Sequence, residues 1–203
     1  MVRVSKPATE NDPVRMFVAL DLPELVREDI AAWGEAELAD PALRRVPAES
    51  LHVTLAFLGN RPPDDVERIA EAMEEAADRP VLLELGGPLG RPSGKRPRLV
   101  ALPVLHGPVP GLQERLSEIL CFERLYEPEK RPFWPHLTVA RVRAEGRGSR
   151  RPMRVEIPPG PSPTEGLGWF HGVRISLYRS ELQPSGARYV PLAQVQLPGA
   201  GWQ

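Results

Sequence analysis

Apolar positions along this 203-residue chain fall into short runs of two kinds. Continuous or alternating runs read as strands, and runs spaced by three to four read as helices. Met16 to Leu22 (MFVALDL) reads as a buried strand. Asp21, with Glu24 three residues on, offers a capping-box-like start. From Pro23 to Leu38, residues Leu25, Ile30, Ala31 and Trp33 recur at roughly helical spacing. Leu51 to Leu58 reads as a strand ending at Gly59. Pro63 to Ala77 predicts a helix with Asp64 and Asp65 in its first turn and Val66, Ile69 and Met73 on one face. Its Glu67, Glu71, Glu74 and Glu75 read as a solvated face.

Val81 to Leu85 and Leu99 to Val104 predict strands, separated by a Gly/Pro/basic loop. Pro110 to Phe122 predicts a third amphipathic helix. His136 to Val142 reads as a strand entered through Pro132 and Pro135. Val173 to Tyr178 and Tyr189 to Val195 read as closing strands. Residues 1–13 read as a flexible N-terminal segment and 14–203 as a single two-lobed domain. The expected fold is α+β and bilobal, a pseudo-two-fold duplication. Two antiparallel-dominated sheets should face a central cleft, with helices outside.

Composition narrows the function classes. A net charge of −1 gives no global pull toward nucleic acid or membrane, so any anion site must be local. Twenty-five prolines imply many short elements and fixed turns. The single Cys121 forms no internal disulfide and suits a reducing cytosol; it reads as a buried structural thiol. The polar opening MVRVSKPATENDPVR lacks the apolar core of a signal peptide. No apolar run approaches ~18 residues, so no bilayer span is expected.

Two strings then stand out, His52-Val53-Thr54-Leu55 and His136-Leu137-Thr138-Val139, 84 positions apart (136 − 52). The chain has four histidines and four threonines, so two His-x-Thr strings would arise by chance at roughly the 0.3% level. On a strand, residues i and i+2 share a face, about 6.6 Å apart. His52 and Thr54 therefore share one face, and His136 and Thr138 another, each backed by apolar residues on the reverse. Two imidazoles flanking one volume suit in-line displacement at phosphorus, which needs a base on the entering oxygen and an acid on the leaving one. The threonine hydroxyls can donate to the non-bridging oxygens. Metal is not expected: a catalytic zinc site wants three protein ligands, and His106 and His171 sit in Gly/Pro-flavoured turns.

Around these residues the chain resembles the two-histidine phosphoesterases, and among them the LigT-like RNA 2′,3′-cyclic phosphodiesterases, also called 2′-5′ RNA ligases. The resemblance runs through RMFVALDLP (15–23), LHVTLAFLG (51–59), RPRLVALPV (96–104), RPFWPHLTVARV (131–142) and VRISLYRSELQPSGARYVPL (173–192). It implies opening of a 2′,3′-cyclic phosphate to a 2′-phosphate, without metal or other cofactor. In that light His52 is the expected proton donor and His136 the expected proton acceptor. Thr54, Thr138 and Arg141 are the expected substrate contacts.

Strict strand parity puts Arg141 on the opposite face from His136 and Thr138. It must reach the site through a bulge, the strand end or its own length. Six arginines in 141–154 and four basic residues in 91–98 could rim the cleft for a phosphate backbone. Phe17, Phe133 and Trp134 are candidate stacking surfaces or core. The expected partners are RNA ends or nucleotides bearing a 2′,3′-cyclic phosphate, bound by a cytoplasmic monomer. Two alternatives stay open: the reverse reaction, as a 2′-5′ RNA ligase, and a non-catalytic nucleotide- or RNA-binding module.

Overall fold

The computed structural model describes residues 12–161, 168–183 and 186–199. Most of the 1–13 segment lies outside the described residues. The element order is β1 (Val14–Asp21), α1 (Glu24–Glu37), β2 (Leu43–Arg45), β3 (His52–Arg61), α2 (Asp65–Ala76), β4 (Leu82–Leu85), β5 (Leu89–Arg91) and β6 (Leu99–His106). It continues with α3 (Val109–Phe122), β7 (His136–Val142), β8 (Phe170–His171), β9 (Arg174–Gln183) and β10 (Gly186–Gln196). A 3-10 turn at Ala48–Ser50 leads into β3. Every expected strand and helix is present, and the α+β class holds. The short β2, β5 and β8 are additions to the expected elements, because three or two residues carry no readable period.

The strands form one curled sheet, ordered β10-β9-β1-β3-β7-β6-β4-β8, with β2 on β7 and β5 on β6. All named pairings are antiparallel. Its two halves are the two lobes. They meet at β3 and β7 through a single register pair, Val53↔Leu137. The expected duplication appears as β1–α1–β3 in one half and β6–α3–β7 in the other.

Alternation decides which residues face the cleft. In β1, Met16, Val18 and Leu20 enter the core, while Phe17, Ala19 and Asp21 take the opposite face. Ile175 and Leu177 of β9 follow the first group. The helices cover the reverse of the sheet with one stripe each: Val26, Ile30 and Trp33 of α1; Ile69, Ala72, Met73 and Ala76 of α2; Val109, Leu112, Leu116 and Leu120 of α3. Leu25, expected on the buried stripe of α1, is 61% exposed, and Val26 takes its place.

Two of the helices reach across the halves. α1 packs on β7 of the other lobe, α3 packs on β3, and α2 lies against α3, β9 and β10. Among the described residues no helix is long and apolar enough to cross a membrane.

Leu137 is fully buried where the halves join. Leu137→Ala should therefore cost about 2–5 kcal/mol in urea unfolding. Leu82→Ala, at a position 38% exposed, should cost well under half of that. Equal costs would show that the junction is not tightly packed.

Candidate active site

Val53 and Leu137 point into the core at the junction of β3 and β7, so their neighbours point out of it. His52, Thr54, His136 and Thr138 are thereby presented together on the cleft face around one contact point. All four are half-buried. Diagonal neighbours on adjacent strands lie roughly 7–8 Å apart, a span that one phosphorus centre with its entering and leaving oxygens can bridge. His136 contributes to the electrostatic environment of His52, so the two rings share one site.

Each ring is oriented by the same device. His52 Nδ1 lies 2.9 Å from the Ser50 carbonyl, and His136 Nδ1 lies 2.7 Å from the Trp134 carbonyl. A carbonyl only accepts, so each Nδ1 carries the hydrogen and each Nε2 is left for a substrate. Trp134 also stacks on His136, with centroids 4.0 Å apart and planes 13° apart, and Arg91 lies 4.6 Å over the Trp134 ring. Phe17 supports His52 from β1, with centroids 5.0 Å apart, and Tyr189 meets it edge-on at 5.3 Å.

A bulge brings Arg141 to the site. Ala101 pairs with Thr138 and the adjacent Val100 pairs with Ala140, which leaves Val139 as an extra residue in β7. Val139 and Ala140 are consecutive buried positions. Parity is reversed beyond them, so Arg141 regains the face of His136 and Thr138. It acts on both imidazoles.

The first lobe repeats the bulge: Ala19 pairs with Thr54 and Val18 with Ala56, leaving Leu55 extra. Phe57 then occupies the place that Arg141 holds in the second lobe. It is 52% exposed and 6.2 Å from Phe17, centroid to centroid. Sequence reasoning misses Phe57, because only the bulge turns it toward the cleft. Of the three aromatics that the sequence does single out, Phe17 is buried under His52, Phe133 packs on the core and Trp134 clamps His136.

Asp21 is not the helix cap that its spacing to Glu24 suggests. Instead α1 begins after Pro23 with no side-chain cap. The Asp21 carboxylate, 5% exposed, accepts hydrogen bonds from Arg174 Nε (2.8 Å), Ser176 Oγ (2.7 Å) and Tyr178 Oη (3.0 Å). Its Cα pairs with that of His52 across β1 and β3. Its signal in the sequence is a lone carboxylate within an apolar run, which must find partners once buried.

Electrostatics separates the two histidines. Burial drives His52 down to about 4, with Asp21 and the Ser50 carbonyl pulling upward and Arg141 and His136 pushing further down. Burial also lowers His136, opposed by the Trp134 carbonyl and aided by Arg141 and Arg91. Both shifts favour the neutral imidazole near pH 7.

The two basic loops do converge. Arg98 from one and Arg141 and Arg150 from the other line a pocket of about 460 Å³ with Arg44 of β2. Glu145 partly neutralises the surroundings by pairing with Arg96 and Arg151. His106 and His171 stand apart. His106 is exposed, stacked on Trp169 with centroids 5.9 Å apart, and His171 is half-buried in β8 rather than in a turn. Cys121 is only half-buried on α3, and desolvation raises its thiol pKa, which disfavours the nucleophilic thiolate. Among the described residues no three His, Cys, Asp or Glu side chains cluster to hold a metal ion.

Comparisons with known proteins bear on the family and the fold. The family described as "LigT like Phosphoesterase" matches residues 20–99. An RNA 2′,3′-cyclic phosphodiesterase of Thermus thermophilus is 32% identical over 197 residues, covering 92% of this chain and 91% of that protein. One of Escherichia coli is 30% identical over 199 residues, covering 90% and 96%. The crystal structure of TT0787 of Thermus thermophilus superposes with a TM-score of 0.76 at 27% identity, covering 91% of this chain and 98% of that one. That of E. coli LigT complexed with 3′-AMP gives 0.72 at 28%, covering 92% and 99%. Doubled His-x-Thr strands, matched bulges and end-to-end likeness to these proteins lead to one conclusion: the chain belongs to the LigT-like phosphoesterases.

Proposed function

We propose that this protein hydrolyses the 2′,3′-cyclic phosphate of RNA ends and nucleotides to a 2′-phosphate, without a metal, within a single two-lobed domain over residues 14–203. The observation that carries the proposal is the paired Nδ1–carbonyl bond, which leaves two Nε2 atoms for one substrate. The relatives named RNA 2′,3′-cyclic phosphodiesterase support it.

His136 Nε2 takes a proton from water as the water oxygen bonds to phosphorus. The bond from phosphorus to O3′ breaks, and His52 Nε2 gives its proton to the departing O3′. The products are a 2′-phosphomonoester and a free 3′-hydroxyl, and solvent resets the two imidazoles. Thr54, Thr138 and Arg141 hold the non-bridging oxygens, where negative charge grows. An anionic diester entering beside the rings raises both imidazole pKa values, which restores the proton that His52 must donate.

Phe57 offers the exposed apolar face on which a nucleobase rests. The pocket of Arg44, Arg98 and Arg150 receives the phosphates of a polynucleotide leading to the cyclic end. A single thiol suits a reducing compartment, and the reading includes a cytoplasmic monomer.

His52→Ala and His136→Ala should each lower turnover of a 2′,3′-cyclic nucleotide on the order of 10²–10⁴-fold. Activity should persist in EDTA, and phosphorus NMR should show a 2′-phosphate. A 3′-phosphate product would reverse the assigned leaving group.

Because both imidazole pKa values are lowered in the empty cleft and raised by the bound anion, the optimum of kcat/KM should lie on the acid side of 6.5. That of kcat should lie at higher pH. Coincident optima would contradict the anion-driven shift.

For an oligonucleotide, Arg98→Ala or Arg150→Ala should each flatten the slope of log K against log salt by about 0.7. A mononucleotide should show no such change. Equal effects on both substrates would remove the pocket from the RNA path.

A further inference from the structure

The matched registers of the two lobes expose a repeat that the linear sequence hides. β1 lies on β3 with Ala19↔Thr54, Leu20↔Val53 and Asp21↔His52. β6 lies on β7 with Ala101↔Thr138, Leu102↔Leu137 and Pro103↔His136. Position for position, Val18-Ala19-Leu20-Asp21 corresponds to Val100-Ala101-Leu102-Pro103. Three of the four residues are identical. The one that differs stands abreast of the histidine in each lobe, a buried carboxylate beside His52 and an uncharged proline beside His136.

Two imidazoles on a pseudo-two-fold axis are interchangeable until something distinguishes them. Burial disfavours the imidazolium that the acid must carry, and a fixed negative charge beside one ring offsets that penalty there. Asp21 is fixed: three side chains from β9 donate to it, and it is buried where its field is weakly screened.

Tyr178 remains a donor because burial, aided by the Asp21 charge, pushes its phenol up to about 12. The groups around His52 are Asp21 from β1, Tyr178 and the Asp21-bound Arg174 from β9, Tyr189 from β10, and His136 and Arg141 from β7. Asp21 is the sole carboxylate among them. The charged groups that act on His136 are Arg141 and Arg91.

We propose that Asp21 is the positioning residue for the acid: its charge favours the imidazolium of His52 against the penalty of burial, so that His52 can take up and donate the proton while His136, beside Pro103, serves as the base. This rests on the cyclic phosphodiesterase reading. The carboxylate acts through the imidazole across the strand pair and touches no reacting atom. Arg174 tempers its field, so the network sets how tightly His52 holds its proton as well as whether it does.

The test separates field from scaffold by opposing signs. Imidazole-carbon NMR titrations of His52 and His136 would be run in the free protein and with 2′-UMP bound. Uridine 2′,3′-cyclic phosphate turnover would be followed across pH in parallel. Asp21→Asn should lower the His52 midpoint by about one unit or more while leaving His136 within a few tenths. It should reduce kcat near pH 7 about tenfold or more, with KM changed less. Arg174→Gln, which keeps the carboxylate and removes its cation, should raise the His52 midpoint.

A purely structural network would give losses in both variants without opposed shifts, and that result overturns the proposal. So does a His52 midpoint unmoved by Asp21→Asn. If Asp21→Asn does not fold, Arg174→Gln decides alone: an upward shift supports the assignment, and no shift or a downward one ends it. Failure of the wild-type protein to turn over any 2′,3′-cyclic nucleotide would instead defeat the functional reading, while the titrations still report on Asp21.

Discussion

The buried contact between Val53 and Leu137 is the constraint on which the rest depends. Two lobes that met through a loop or a mobile hinge would present their histidines at variable separation. Here the two His-x-Thr strands are adjacent strands of one sheet, joined at the residue between each His and Thr. Apolar burial on one side of that pair fixes the spacing of four polar side chains on the other. General acid–base chemistry demands such precision, because an ångström of misplacement can cost about a hundredfold in rate.

The bulges serve the same end. A regular strand has room for only alternate residues on its cleft face, which here would stop at His and Thr. One extra buried residue, Val139 in β7 and Leu55 in β3, lets the third functional side chain follow at an odd offset. The lobes use that place differently: Arg141 brings a charge, and Phe57 brings an apolar face. Together with Asp21 and Pro103, this gives two positions at which a duplicated framework has been made asymmetric, each close to the histidine of a His-x-Thr strand.

Much of this is legible in the chain. The His-x-Thr strings, their apolar backing and the strand–helix–strand order follow from period two and period three-to-four patterns, because side-chain direction is local. The parity conflict at Arg141 is itself a correct deduction, and the bulge resolves it. Phe57 and Asp21 are not legible. Phe57 looks like any strand aromatic until the bulge turns it, and Asp21 looks like a cap until Arg174, Ser176 and Tyr178 arrive from more than 150 residues away. The repeated Val-Ala-Leu is too short to notice without the strand register. Long-range pairing decides each of these, and no local window contains it.

The reach of two helices across the halves has an evolutionary corollary. Since α1 reaches β7 and α3 reaches β3, each half lends a helix to the His-x-Thr strand of the other. In two separate copies of one such unit, the same contacts would form a reciprocal dimer, each copy lending a helix to the other. Fusion of two such copies would make that mutual contact permanent and free each copy to diverge.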